Sequence, residues 1–438
     1  MFKRTLRTSF FILLVAVSVA ANAQEYSRNF YSPSTLYGIG QLSLPGFSNT
    51  RGMGDAGIGV RSRFMINHLN PAALTAQDTT TFIVDFGIES NNIYASTSSK
   101  NTSFNGFSVD HISMAFPISK RLFTALTFQP MTQVGYRISF DETDPTILSN
   151  IGNVNYEYNG KGGVNIGQIG LGAKILEGLS VGANLNLYFG SIDRNYNTIF
   201  PSSSSLYLSS YTTSRVMVSN LGFSTGVSYA RNLDAGKFLN LGLTFQPKLN
   251  ISAKLDELTT TSNTVDTIEY INRNIDFGIP TKVGLGASFG KTDKYTFAFD
   301  YEFAQWSKVT PLDKMSDYVN TNSVRAGLEY TPNVLDFRNY FNRITYRIGF
   351  RYNDVYYKVN YYTLGSDGSL TKKSGSKTND IAVTAGFAFP IKGLSYLNTS
   401  FEFGQRGSIV RSGIKEKYFT FTVGVSLFDR WFLKPKFN

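Results

Sequence analysis

Two histidines, His68 and His111, are the only imidazoles in the chain, and there is no cysteine. Thiolate nucleophiles, thiolate metal sites and disulfides are thereby excluded together. His111 lies close to Ser108 and Ser113, and a serine–histidine pair at a barrel rim would be the minimum for lipid-ester hydrolysis. Such a pair is defined by geometry rather than nearness in sequence, and a polar residue on an interior strand face explains His111 equally simply. Gly222-Phe223-Ser224-Thr225-Gly226 has the spacing of a nucleophile elbow, but that motif needs a strand-to-helix turn, whereas Ser224 stands in the middle of an alternating run. Gly52-Met53-Gly54-Asp55-Ala56-Gly57 fits the dinucleotide pattern, yet no buried strand precedes it and no helix pattern follows. No histidine–carboxylate spacing matches a metal site. The expectation is a protein that is not an enzyme, with no cofactor and no bound metal.

The elements that carry these residues are strands. In Lys417–Phe428, Phe419, Phe421, Val423, Val425 and Leu427 fall on one face, and Tyr418, Thr420, Thr422, Gly424 and Ser426 on the other. Runs of this kind recur about fourteen times from Thr81 onward. The chain has 438 residues, of which 15% are aromatic and 17% charged, fewer charges than the roughly one quarter of a soluble domain. An apolar face outward and a polar face inward suits a barrel in lipid. Short turns at residues 118–120, 176–178, 232–236, 291–293 and 391–393 alternate with expected long polar loops at 91–105, 141–163, 193–214, 252–280 and 354–380. The inward positions carry Lys174, Asn184, Asn186, Lys282, Asp300, Glu302, Arg325, Glu329, Arg347, Arg351 and Glu402, which can pair across a filled interior or line an open one. The fold class expected is all-β, a 14-stranded antiparallel transmembrane β-barrel.

Lys3, Arg4 and Arg7, the apolar run Phe10–Ala21 and Ala21-Asn22-Ala23 read as a signal peptide over residues 1–23, cleaved after Ala23. Three of the 42 basic residues lie in it, leaving 39 against 31 acids, a net charge of +8. An exported chain of this kind is not expected to bind nucleic acid; outer-membrane lipid is the expected surroundings. Residues 24–78, rich in glycine and proline and without long alternation, are expected to form an N-terminal hatch inside a barrel of residues 79–438.

The hatch and barrel together resemble the FadL-like outer-membrane transporters of hydrophobic compounds. The residues that carry the resemblance are Arg51-Gly52-Met53-Gly54-Asp55-Ala56-Gly57, Asn70-Pro71-Ala72-Ala73-Leu74, Ile279-Pro280 with Val283-Gly284-Leu285-Gly286, Asp300-Tyr301 through Trp306-Ser307, and Arg325-Ala326-Gly327-Leu328-Glu329-Tyr330. The opening Ser32–Gly40 and the tail Asp429–Asn438 are similar to members from Bacteroidota, which include PorV-like relatives. The resemblance implies the Gram-negative outer membrane and passive uptake of long-chain fatty acids or other hydrophobic small molecules. In such a protein an apolar pocket captures the compound and a kinked third strand releases it sideways. Pro130, which cannot donate to a ladder, and Gly135 are the candidates for that opening. Phe47, Met53, Phe64, Met65, Leu69, Asn70 and Pro71 are the candidates for the pocket and hatch. The alternative is a subunit or cargo shuttle of an outer-membrane secretion or assembly complex, with protein partners.

Overall fold

The computed structural model describes residues 30–98, 100–201, 207–262, 267–313, 315–364, 370–391 and 394–430, with the side chains of 360–374 left aside. The expected signal peptide lies outside the described residues.

Fourteen antiparallel strands close into a barrel. They are β1 (Thr81–Ser96), β2 (Asn101–Pro117), β3 in two pieces (Leu122–Pro130 and Thr132–Asp141), β4 (Asn155–Leu176), β5 (Leu179–Ile199) and β6 (Ser210–Asn232). Then follow β7 in two pieces (Lys237–Gln246 and Leu249–Thr261), β8 in two pieces (Thr267–Ile279 and Lys282–Lys291), β9 (Tyr295–Ala304) and β10 (Thr321–Tyr330). The wall ends with β11 (Thr345–Asp354), β12 (Asn379–Pro390), β13 (Tyr396–Ser408) and β14 (Ile414–Arg430). β14 pairs back onto β1 from Thr81↔Arg430 to Ser96↔Lys415, so the sheet has no free outer edge along this seam. Closure matters because unpaired backbone facing hydrocarbon costs several kcal/mol per group. No helix among the described residues is long and apolar enough to cross a membrane.

The burial pattern is that of an inside-out protein. Leu185, Leu187, Leu241, Leu243, Phe245, Leu285, Phe297, Phe299 and Phe403 are exposed, while Asp85, His111, Asn184, Asp300, Arg325, Arg351, Thr384 and Glu402 are buried. Such a surface is stable only against apolar surroundings.

The strands run further than the alternation suggested. β1 ends at Ser96 and β2 begins at Asn101, β5 extends to Ile199, and the upper pieces of β7 and β8 fill most of 252–280. Above the apolar belt the outward face turns polar, so the two-residue alternation fades although the ladder continues. At the opposite end the turns are short, except 331–344, which holds a 3-10 turn at Tyr340–Arg343.

Candidate functional site

Two breaks interrupt the wall. β2 pairs with β3 only from Ile112↔Phe128 to Pro117↔Phe123. At Pro130 the ladder with β2 is lost, and of the wall strands the upper piece of β3 pairs with β4, from Val134↔Gly162 to Asp141↔Asn155. Proline supplies no N–H, and Pro130 lies where β3 leaves its first partner. The edge that β2 abandons is taken by the N-terminal segment. Gln41 and Leu42 pair with Gln133 and Thr132. Ser32 N donates to Gly135 O at 2.7 Å, and Gly135 N donates to Thr35 Oγ1 at 3.1 Å. A Cβ on Gly135 would stand 1.8 Å from the Phe30 carbonyl oxygen, so only glycine admits the segment there. The Tyr31 ring stacks on Phe104 of β2 at 4.2 Å.

Residues 30–78 pack against the small inward face of the strands. Gly349 abuts Gly54, Gly182 abuts Ala72, Gly286 abuts Gly59 and Gly424 abuts Ser48, each too close for a side chain. Polar bonds fix the segment further. Arg51 pairs with Asp110 and, at 3.3 Å, with Glu89. Arg351 donates to Asp55 Oδ2 at 3.0 Å and pairs with Glu402. The Asp300 carboxylate accepts from the amides of Gly57 at 2.6 Å and Ile58 at 2.8 Å. Asn70 accepts from Ala72 N and donates to Ile58 O and Val227 O. A charge buried this way is tolerated only when paired and hydrogen-bonded.

The wall itself pairs many of the inward charges read from the sequence, including Arg325 with Glu302 at 3.5 Å and Arg347 with Glu329 at 2.8 Å. His111 bridges Asp85 at 2.8 Å and Asp110 at 2.9 Å. Phe47 lies flat between His111 and His68, with ring centroids at 3.7 and 4.0 Å. Burial, and then the neighbouring His111, push the pKa of His68 down to about 3, so it is neutral at pH 7. Ser113 bonds Thr127 at 2.7 Å, while Ser108 bonds Glu89 at 3.0 Å. Ser224 sits within β6, and the glycine-rich 52–57 makes tight turns against β11 and β12. Among the described residues no group of three or more histidines and carboxylates is placed to hold a metal ion.

The candidate pocket residues do not converge. Phe47 packs with Ile66, Leu74, Ile83 and Phe123 near the short-turn end. Met65 joins Ala56, Val60 and Ala298. Met53 lies against Gly327, Leu69 against Gly57, and Phe64 beside Phe428 and Tyr396. Pro71 is buried against Gly182. The largest apolar cluster lies elsewhere, in the long-loop half. It joins Leu36 and Ile39 of the segment, Val134 and Tyr136 of β3, Tyr188, Ile192, Val216 and Val218, the upper pieces of β7 and β8, and Trp306, Tyr318 and Tyr356 from loops. Its signal was the inward alternation Leu249, Ile251, Ala253, Leu255, which straddles the start of an expected loop and was therefore missed. Below this cluster a cavity of about 30 Å³ is lined by Arg51, Glu89, Arg351, Glu402 and Arg406. The interior thus has an aromatic upper tier and an ionic lower tier.

Asp300 offers a direct check of how the segment is held. Asp300→Leu should remove the acceptor for two buried amides, each costing about 1–3 kcal/mol when orphaned, and should make residues 50–65 accessible to protease in the otherwise intact barrel.

A family model described as BamG matches residues 1–438. Among solved structures the chain is similar to the toluene transporter TodX of Pseudomonas putida, at 14% identity and a TM-score of 0.51, covering 90% of this chain and 100% of that one. It is also similar to the toluene transporter TbuX of Ralstonia pickettii, at 13% identity and a TM-score of 0.50, covering 89% and 99%. A Pseudomonas aeruginosa FadL homologue is similar at 14% identity and a TM-score of 0.50, covering 90% and 99%. At these identities the likeness bears on the fold. No curated protein matches the chain.

Proposed function

The chain belongs to the BamG family, and we propose that it is an outer-membrane barrel for passive uptake of hydrophobic compounds, long-chain fatty acids among them. The compound enters from the long-loop end, is held in the aromatic upper tier, and leaves sideways between β2 and the upper piece of β3. One observation carries this reading: the apolar cluster includes Val134 and Tyr136 of the β3 piece that β2 does not pair. Apolar matter inside the barrel therefore borders a stretch of wall that the N-terminal segment, rather than β2, closes. Burial of a methylene is worth about 0.8 kcal/mol, so an alkyl or aromatic compound prefers this tier, and then lipid, to water. The ionic lower tier blocks the axial route, because crossing it would strip Arg51, Arg351 and their carboxylates of partners. The toluene transporters named above, which share the fold, support the substrate class.

Pro130→Ala tests the exit. It supplies an N–H at the break and lets β3 continue its ladder with β2. Uptake of a hydrophobic probe by cells or vesicles is expected to fall several-fold with the barrel intact; unchanged uptake would count against an exit at this place.

A second reading, a subunit of an outer-membrane protein complex, is favoured by the upper hairpin of β7 and β8. It extends beyond the apolar belt and borders an outer groove of about 680 Å³ lined by Lys161, Asp193, Arg215, Glu257, Glu269 and Ile271, among others. Mild purification from native membranes separates the two: a stoichiometric protein partner without apolar ligand supports this reading, and co-purifying apolar ligand without a partner supports uptake.

A further inference from the structure

The second break in the wall lies at Pro247. Leu243-Thr244-Phe245-Gln246-Pro247 in β7 repeats Leu126-Thr127-Phe128-Gln129-Pro130 in β3. The ladder between β6 and β7 runs from Asn232↔Phe238 to Thr225↔Phe245 and resumes only at Met217↔Lys254. Residues 218–224 of β6 therefore pair with β5 on one side and, among the described residues, with no strand on the other. β8 is interrupted at the same height, since Gln246 faces Lys282 and Leu249 faces Ile279, which sets Pro247-Lys248 beside Pro280-Thr281.

At Pro130 the N-terminal segment takes the abandoned edge. At Pro247 side chains partly stand in: Asn220 Nδ2 donates to Ser252 O at 3.1 Å, and Thr225 Oγ1 reaches Phe245 O at 3.5 Å. The break joins two apolar regions. Inside it, Val218, Tyr188, Leu249, Ile251 and Ala253 belong to or pack on the aromatic upper tier. Outside it, Leu221 is 63% and Phe223 53% exposed, so this stretch faces the apolar surroundings of the barrel. Ser219, Asn250 and Ser252, also exposed, mark the belt's upper limit. Between inside and outside stands Leu249, whose side chain, with the Tyr188 ring, lies 3.0 Å from where a Cβ of Gly222 would be. A movable leucine over a glycine can close a slot that a ladder does not.

We infer that the slot between residues 218–224 of β6 and residues 246–253 of β7 is a second lateral portal, through which apolar molecules exchange between the upper tier and the outer edge of the bilayer. The inference rests on the uptake reading, because it needs the upper tier to hold such molecules. It gives the cluster two side doors on different strands, both at the long-loop end of the belt. A compound dissolved in the outer leaflet then reaches the tier without passing the loops.

The test uses Trp306, buried in the upper tier against Tyr356 and Tyr318. Trp431→Phe leaves it the sole tryptophan. A bromoalkane dissolved in the bilayer quenches its fluorescence on arrival. The upper register, continued downward, sets Ser219 opposite Ser252, so Ser219→Cys with Ser252→Cys, bridged by a bifunctional thiol reagent after folding, seals the slot. A second bridge, Tyr31→Cys with Phe104→Cys, locks the gap beside Pro130. With that lock in place, sealing the Pro247 slot is expected to slow quenching at least threefold, and removing the bridge to restore it. An unchanged rate overturns the portal while leaving the uptake reading standing. Absence of any quenching in the unbridged protein overturns both.

Discussion

Replacing Arg51 with methionine should unseat the N-terminal segment while the barrel persists. Arg51 is almost wholly buried and pairs with Asp110 and Glu89 of the wall. Its removal leaves the buried Glu89 carboxylate without its cation and Asp110 with His111 as its one remaining ring partner. Breaking one partner of a buried pair costs about 3–5 kcal/mol, and two acceptors share this one. The loss falls on the segment, because Glu89 stays in the β1–β2 ladder and Asp110 stays at the bulge between Val109 and His111 of that same ladder. Residues 30–78 are expected to become protease-sensitive, and the vesicle-reconstituted variant to conduct ions where the parent does not. Triple replacement, Arg51→Met with Glu89→Gln and Asp110→Asn, removes the stranded charge and should recover part of the protection. Full protection of the single variant would mean that the ionic tier does not hold the segment.

The second large effect is at Gly135. A leucine there cannot coexist with the Phe30 carbonyl, which leaves no room even for a Cβ. Residues 30–35 must withdraw from the β3 edge, breaking the bonds of Ser32 and Thr35 with Gly135. The gap beside Pro130 then stands open, and Tyr31 leaves Phe104. Gly135→Leu is expected to raise the exit rate of a hydrophobic compound several-fold, to leave strand content unchanged by circular dichroism, and to expose a cysteine placed at Tyr31 to thiol reagents. A variant with the parent's reactivity at that cysteine would mean that the edge accommodates the side chain without the segment moving.

The barrel was legible in the sequence because its cause is simple and repeated. Phe419 to Leu427 on one face and Thr420 to Ser426 on the other require lipid outside and polar groups inside, and fourteen such runs close the sheet. The inward charges were legible for the same reason, since Arg351 and Glu402 occupy the face that lipid cannot accept. Strand length was less so. Above the belt the outward face turns polar, as at Asp193 and Ser252, and the alternation alone no longer separates strand from loop. The upper tier was hidden for a related reason. Ile251 belongs to an alternation that runs on into an apparent loop and Phe277 to one that lies within it, while Trp306 and Tyr356 come from connections whose tertiary positions local pattern does not specify. Phe47, Met53 and Met65 were visible as buried apolar residues, and they are buried, but in separate small clusters wedged between segment and wall. Pro130 and Pro247 stood out as interruptions. Which one the N-terminal segment would cover depended on Gly135, whose missing side chain lets residues 30–35 reach β3.

The most direct measurement of the central claim, that apolar compounds leave sideways through the gap beside Pro130, is a reversible lock. Tyr31→Cys and Phe104→Cys, bridged by a reducible thiol reagent, tie the segment to β2 across that gap, and the chain has no other cysteine to interfere. Uptake of a long-chain fatty acid and of a monoaromatic hydrocarbon into vesicles carrying the bridged protein should drop several-fold and return on reduction. Equal uptake before and after reduction would contradict the account.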